Sequence, residues 1–273
     1  MKAEKDIVVN SWEEAQQALF GHSWNESIQR YRSNFIYRGS WNSKYNLDTS
    51  ISRLGPQYAS LEQHVLRNFK KYAHSNASPG NSVWNWLAVA QHHGLPTRLL
   101  DWTYSPLVAL HFATLNLSKY NEEGTVWCIN YVKAKEFLPM PLKVALEAEG
   151  SNVFTPEVLE PVCESLKTLA NLQQEPFVLF LEPPSLDERI VHQYALFSLM
   201  SDVKAELSVW LKEHEELYFR VIIPPELKWE IRDKLDQANI TERVLMPGLS
   251  GLSAWLKRHY THTHLKNPDE MNI

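Results

Sequence analysis

The sequence predicts an α+β fold with a mixed, mostly antiparallel sheet flanked by helices. Short apolar runs of strand length recur at 34–38, 125–132, 177–181 and 217–223. Two of them are closed by paired prolines, Pro183-Pro184 and Pro224-Pro225, which a continuing strand or helix would not accept. Helical stretches lie between the runs without a regular strand–helix–strand alternation, so a doubly wound parallel sheet is not expected.

Taken in order, residues 6–10 read as a short strand. Ser11 with Glu14 three positions later is a capping box, opening a helix through Trp12, Ala15, Ala18 and Leu19 to Gly21. The strand at 34–38 places Phe35 and Tyr37 on one face and Ile36 and Arg38 on the other. Residues 40–55 form a polar loop, and 57–72 a helix carrying Leu61, Val65, Leu66 and Phe69 at helical spacing. Residues 75–82 are a loop.

The centre of the chain is 82–114, read as helix, turn, short strand, turn and helix. Ser82 caps the first helix, and Gly94 sits where a left-handed residue would end it. Pro96 blocks continuation, Leu99 and Leu100 suit a buried strand, and Ser105-Pro106 starts the second helix with a good cap and a preorganised first residue. Beyond lie a strand at 125–132, a mixed segment at 133–175 with a helix at 157–173, and a strand at 177–181. A surface helix at 204–214, a strand at 217–223, a helix at 226–237, a short strand at 243–246 and a closing helix at 249–260 follow. The expected organisation is one domain over 1–260, with an insertion or lid at 133–175 and a flexible tail at 261–273.

Composition narrows the function classes. With 44% hydrophobic and 22% charged residues, and with 10 Trp, 11 Tyr and 10 Phe, the chain is globular rather than disordered. A net charge of −5 excludes a global electrostatic pull towards nucleic acid, so any basic groove must be local. Two cysteines, Cys128 and Cys163, are too few for a disulfide framework or a cysteine-rich zinc site, and Cys128 sits in an apolar run expected in the core. The first residues lack a signal peptide's apolar region and no run reaches membrane-spanning length, so the expected location is the cytoplasm.

Polar side chains gather around the central strand. Gln91, His92 and His93 end one helix, Thr97, Arg98 and Asp101 flank the strand, and Trp102 and Thr103 follow it. Arg38, on an apolar strand face, needs an anion: Asp101, a carboxylate in 182–188, or a ligand. Arg98 and Asp101 form either a buried pair or a ligand contact, and Trp102 is either core or a stacking platform. Adjacent histidines on a helix point about 100° apart, and His111 is the only nearby third ligand. A metal-dependent hydrolase built on His92, His93, His111 and Asp101 is therefore set aside, with no metal expected.

Two pieces resemble the FRG domain: Phe35-Ile36-Tyr37-Arg38-Gly39, and the run from Ala90-Gln91-His92-His93-Gly94 through Leu95-Pro96-Thr97-Arg98-Leu99-Leu100-Asp101-Trp102-Thr103, continued by Ser105-Pro106 and Ala109-Leu110. Arg189-Ile190-Val191-His192-Gln193-Tyr194-Ala195-Leu196-Phe197 is similar to a third segment of the family, with Ala195 where a glycine is usual. Met246-Pro247-Gly248-Leu249-Ser250-Gly251-Leu252 is similar to its closing stretch, so the resemblance spans 30–255.

The family is a remote relative of ADP-ribosyltransferases, which cleave NAD and transfer its ADP-ribose. The resemblance implies an ADP-ribosyltransferase-like core and NAD as substrate, with RNA or protein as the acceptor. Arg38, Gln193 and Asp101 would be catalytic. Tyr37, Arg38, Gly39, Gln91, His92, Thr97, Arg98, Trp102 and Thr103 would contact NAD. Gln193 stands where the transferases carry a glutamate, so either Glu182, Asp187 or Glu188 would supply the carboxylate, or the cationic character of the leaving nicotinamide would make a full charge unnecessary. A toxin role in bacterial phage defence, with a neutralising antitoxin protein as partner, is also implied. The second reading is a catalytically inactive FRG module that binds a nucleotide or nucleic acid.

Overall fold

The computed structural model describes residues 5–73, 79–184 and 188–261. Seven strands make one sheet: β1 (Asp6–Val8), β2 (Phe35–Ser40), β3 (Leu100–Thr103), β4 (Gly124–Asn130), β5 (Val178–Leu181), β6 (Ala195–Met200) and β7 (Tyr218–Ile223). Their order across the sheet is β1-β7-β4-β2-β3-β6-β5. The β1–β7 pair is parallel and every other neighbouring pair is antiparallel, as expected of a mostly antiparallel α+β sheet. A separate two-stranded ribbon joins Trp24–Asn25 to Arg30–Tyr31.

Helix ends follow the local chemistry. In α1 (Trp12–Phe20) the Ser11 hydroxyl accepts from Glu14 N, and the Glu14 carboxylate reaches back to Asn10 N at 2.7 Å. Next come α2 (Tyr58–Ala73) and α3 (Val83–His92), the latter capped by Ser82 and followed by Gly94 at φ +80°. Helix α4 (Pro106–Ala113) starts with Ser105 accepting from Val108 N and proline at the first turn. The remaining principal helices are α5 (Met140–Glu149), α6 (Glu188–His192), α7 (Leu207–Glu213), α8 (Lys228–Gln237), α9 (Glu242–Leu245) and α10 (Leu249–His259).

The sheet buries both faces. Tyr37, Val126, Cys128, Val221 and Ile223 pack with residues of α1, α4 and α8 such as Leu19, Ala109 and Ile231. On the opposite face Ile36, Trp102, Trp127, Ile129 and Phe180 pack with Trp210 and Leu211 of α7. A third cluster joins α2 and α3 to Leu179, Leu181, Phe197 and Leu199 of β5 and β6.

Several expectations are corrected. Segment 133–175 supplies Leu142, Leu146, Leu159, Cys163 and Leu169 to that third cluster, so it is built into the core rather than laid over it as a lid. Its helix at 157–173 is two short turns, Pro156–Leu159 and Leu166–Ala170. The helix expected on the surface at 204–214 is α7, with Leu207, Trp210 and Leu211 buried. The strand expected at 243–246 is the helical turn α9, held in place by ion pairs of Glu242 with two neighbouring helices. The tail 262–273 and the loop residues 74–78 lie outside the described residues.

Gly39 serves helix packing. A Cβ there would lie 1.9 Å from the Ala109 carbonyl oxygen and 2.6 Å from Ala113 N. Only glycine lets α4 lie this close on β2, which brings the start of α4 beside the end of β3.

Candidate functional site

Strands β2 and β3 share a single paired position, Tyr37 with Thr103. Beyond it the ladder stops, and the Asp101 main-chain carbonyl accepts from Arg38 Nη1 at 2.6 Å instead. Arg38 thus supplies the hydrogen bond that a ladder amide would give. Its Nη1 also lies 4.0 Å from Asp101 Oδ2. Burial pushes the Arg38 pKa down, the Asp101 carboxylate opposes that, and the Arg53 guanidinium reinforces it.

A cleft of about 240 Å³ occupies this fork, lined by Arg38, Asp101, Thr103, Arg189, Gln193 and Trp41 among others. Among the described residues lining it, Asp101 is the sole carboxylate. Its side chain is 59% exposed, yet it is oriented: Gln91 Nε2 donates to Asp101 Oδ2 at 2.9 Å, and Thr97 Oγ1 donates to Gln91 Oε1 at 2.5 Å. A carboxylate held this way offers a fixed negative charge beside a fixed positive one.

Gln193 follows α6 and is tied to the far wall. Its Nε2 donates to the Leu245 carbonyl at 2.9 Å, its main-chain carbonyl accepts from Thr103 Oγ1 at 2.7 Å, and His192 Nδ1 lies 2.8 Å from the Val244 carbonyl. Helix α9, which carries those two carbonyls, is anchored by Glu242. That carboxylate pairs with Arg258 at 2.6 and 2.8 Å and with Arg232 at 3.4 Å, and Arg258 also grips Asp236. Arg232 Nη1 meets His111 Nδ1 at 2.8 Å, and burial first, then this guanidinium, push the His111 pKa down to about 3.

A second cavity, of about 440 Å³, shares Arg38, Gly39 and Trp41 with the first and adds Tyr45, Arg53 and Trp127. The loop bearing Trp41 and Tyr45 is strapped down. Buried Lys228 donates to the carbonyls of Trp41 at 3.0 Å and Lys119 at 2.9 Å, Ser43 N to Glu123 O at 2.8 Å, and Arg220 to the Ser43 carbonyl at 3.2 Å. These residues are absent from the set inferred from sequence. Aromatic residues in an otherwise polar loop were the available signal for Trp41 and Tyr45; the placement of Trp127 opposite Arg38 is a matter of register.

The fork thus unites Arg38, Gly39, Asp101, Thr103 and Gln193, with Gln91 and Thr97 supporting Asp101 from behind. Asp101 lies within β3 rather than flanking it, and Trp102 and Thr103 belong to the same strand. Tyr37 also borders the cleft, but its hydroxyl donates to the Leu19 carbonyl and meets Ser33, and burial raises its pKa to about 12. Trp102 borders the cleft too, but its side chain is packed in the core, 3% exposed, with Nε1 on Ser198 Oγ.

Arg98 does not join them. It is buried in a bidentate pair with Glu62 of α2 and donates to the carbonyls of Met200 and Ser201, so its charge is spent on the core. His92 ends α3 with its ring edge-on to His93 at 5.1 Å, and is not part of the cleft lining. Glu182 accepts from Tyr104 Oη at 2.8 Å, neither it nor Glu188 lines the cleft, and Asp187 lies outside the described residues. Among the described residues no group of three or more His, Cys, Asp or Glu is placed to hold a metal ion, and no helix is long and apolar enough to cross a membrane.

The class defined so far is an α+β domain with a charged cleft in the fork of its central sheet. Residues 33–122, about a third of the chain, match the family model of the FRG domain. The match takes in β2, α3, β3 and α4, hence Arg38, Gln91 and Asp101, and leaves Arg189 and Gln193 outside. No curated protein and no solved structure matches the chain.

Proposed function

We propose that the fork is the site of an NAD-dependent ADP-ribosyltransferase. The observation that carries this reading is the meeting of Arg38, Asp101 and Gln193 on one cleft, from parts of the chain far apart in sequence. In it, Arg38 holds the pyrophosphate through its guanidinium fork. The oriented Asp101 carboxylate faces the nicotinamide ribose and stabilises positive charge as the bond from C1′ to the nicotinamide nitrogen breaks. Nicotinamide leaves neutral, and an acceptor nucleophile forms the new bond to C1′ and releases a proton. The acceptor is a macromolecule, RNA or protein. A toxin role in phage defence, checked by a neutralising protein, extends the proposal on resemblance alone.

One observation favours a second reading, a nucleotide-binding module without catalysis. The residue in the glutamate position is Gln193, and its amide N–H is already bound to the Leu245 carbonyl. Incubating the purified protein with NAD labelled on the adenylate, together with total RNA or protein, separates the two. The transferase predicts label transfer and released nicotinamide, both lost in Asp101→Asn and Arg38→Ala. Binding of NAD without nicotinamide release identifies the module.

A further inference from the structure

The second cavity has the makings of a base site. Trp41 and Tyr45 are 36% and 46% exposed, so aromatic faces stay open to a ligand, with the two rings edge to face at 6.2 Å. Their loop is held by Lys228 and Arg220, so little order remains to be imposed on binding. Trp127 is 6% exposed, stands directly opposite Arg38 across β2 and β4, and stacks on Tyr218. Its indole Nε1 is buried and makes no hydrogen bond among the described residues. A buried donor without an acceptor is costly, and a small shift of the indole towards the cavity would let a ligand acceptor satisfy it. Arg38 and Arg53 turn two positive charges on the same space against one lining carboxylate, Asp48, and an anion between the guanidiniums offsets the excess.

We infer that this cavity binds the adenosine-phosphate half of NAD: the base stacks on Tyr45 with Trp41 edge-on to it, phosphate oxygens meet Arg38 and Arg53, and the Trp127 indole donates from Nε1 to the bound nucleotide. The inference rests on the transferase reading, which places the nicotinamide ribose in the smaller cleft. A dinucleotide is two nucleosides joined by a pyrophosphate, and the two cavities are joined at a guanidinium. Volume fits as well, since sites for ligands of this size run from roughly 300 to 1,000 Å³.

The test is calorimetry with two probes, ADP and nicotinamide mononucleotide, on wild type, Tyr45→Ala, Arg53→Ala and Trp127→Phe. ADP affinity is expected to fall about tenfold or more in the first two variants and several-fold in the third. Nicotinamide mononucleotide should bind all four proteins alike. Tyr45 and Arg53 are exposed, so those variants keep the fold, and a thermal melt checks each protein. Equal ADP affinity in Tyr45→Ala, Arg53→Ala and wild type would overturn the inference. So would simultaneous binding of ADP and NAD, since the cavity would then belong to an acceptor nucleotide; competition one for one supports it. NAD turnover with ADP binding indifferent to these residues sinks this inference and leaves the transferase standing. ADP binding as expected without any label transfer does the reverse.

Discussion

Arg38 reaches across the fork of the sheet to the main chain of Asp101, not chiefly to its carboxylate: Nη1 lies 2.6 Å from the carbonyl oxygen and 4.0 Å from Oδ2. The guanidinium therefore holds the strand, while the carboxylate is aimed separately by Gln91. This division of labour separates binding from chemistry in the proposed site.

Gln91→Ala removes the group that aims Asp101 and leaves the Arg38 contact in place. The rate of nicotinamide release should fall about five- to tenfold, the value of one hydrogen bond, with KM for NAD little changed. A loss confined to KM would show that Gln91 binds substrate rather than orienting the carboxylate.

Placing a glutamate at 193 should not raise label transfer. Gln193 Nε2 donates to the Leu245 carbonyl, and a carboxylate there would face that carbonyl oxygen instead. Gln193→Glu should lose about 1–3 kcal/mol of stability and gain no activity. Increased label transfer at unchanged melting temperature would refute this placement.

Glu62→Ala leaves the Arg98 guanidinium, 6% exposed, without its carboxylate. Unfolding should become easier by about 3–5 kcal/mol, measured in urea, while NAD affinity at a temperature where the variant is folded stays that of wild type. Adding Arg98→Leu should recover part of the loss. If NAD affinity collapsed while stability held, Arg98 would be part of the site after all.

Acid should weaken the fold through His111. In the unfolded chain it protonates near its ordinary value of 6.5, but in the folded protein only near 3. Between those values the unfolded chain binds the extra proton, so stability drops as pH falls through this window, by about 1.4 kcal/mol per pH unit from this group. Glu242, held down to about 2 by its arginine partners against the opposing effect of burial, adds a second loss below its ordinary 4.5. His111→Gln should flatten the slope of urea stability between pH 4 and 6.5; an unchanged slope would rule His111 out as its source.

Gly39→Ala places a methyl group 1.9 Å from the Ala109 carbonyl oxygen, a backbone atom that cannot step aside. The cost should be about 3 kcal/mol or more, or failure to fold. Thermal denaturation reads it directly, and a melting temperature equal to that of wild type would mean that α4 does not rest on β2.

Much of the local architecture was legible. Ser11 with Glu14, Ser82 with Gly94, and Ser105 with Pro106 mark helix ends because a cap is a contact within about four residues of chain. Where local signals were weak, reading failed: α9 is four residues long, and a run that short shows no period that separates helix from strand. Cys128 is fully buried, as its apolar neighbours in sequence predict.

The site was legible by parts. Alternation along β2 puts Arg38 on an apolar sheet face, where its charge needs an anion, and Asp101 is one of the carboxylates the sequence offers. Arg98, one residue type and one parity away, was grouped with the site but is consumed by Glu62, since which carboxylate an arginine meets depends on helix packing. Trp127 could not be found from sequence, because a period of two assigns a side chain to a face but not to a partner.

Caps, breakers and apolar periods thus specified strands and helices, since each rests on neighbours a few residues apart. Strand order and register, the divergence of β2 from β3, and the docking of α9 behind Gln193 arise only when distant segments pack together. The cleft is a product of that packing: it exists because a ladder between two strands ends after one pair, and the energy deciding where it ends resides in contacts made by the rest of the fold.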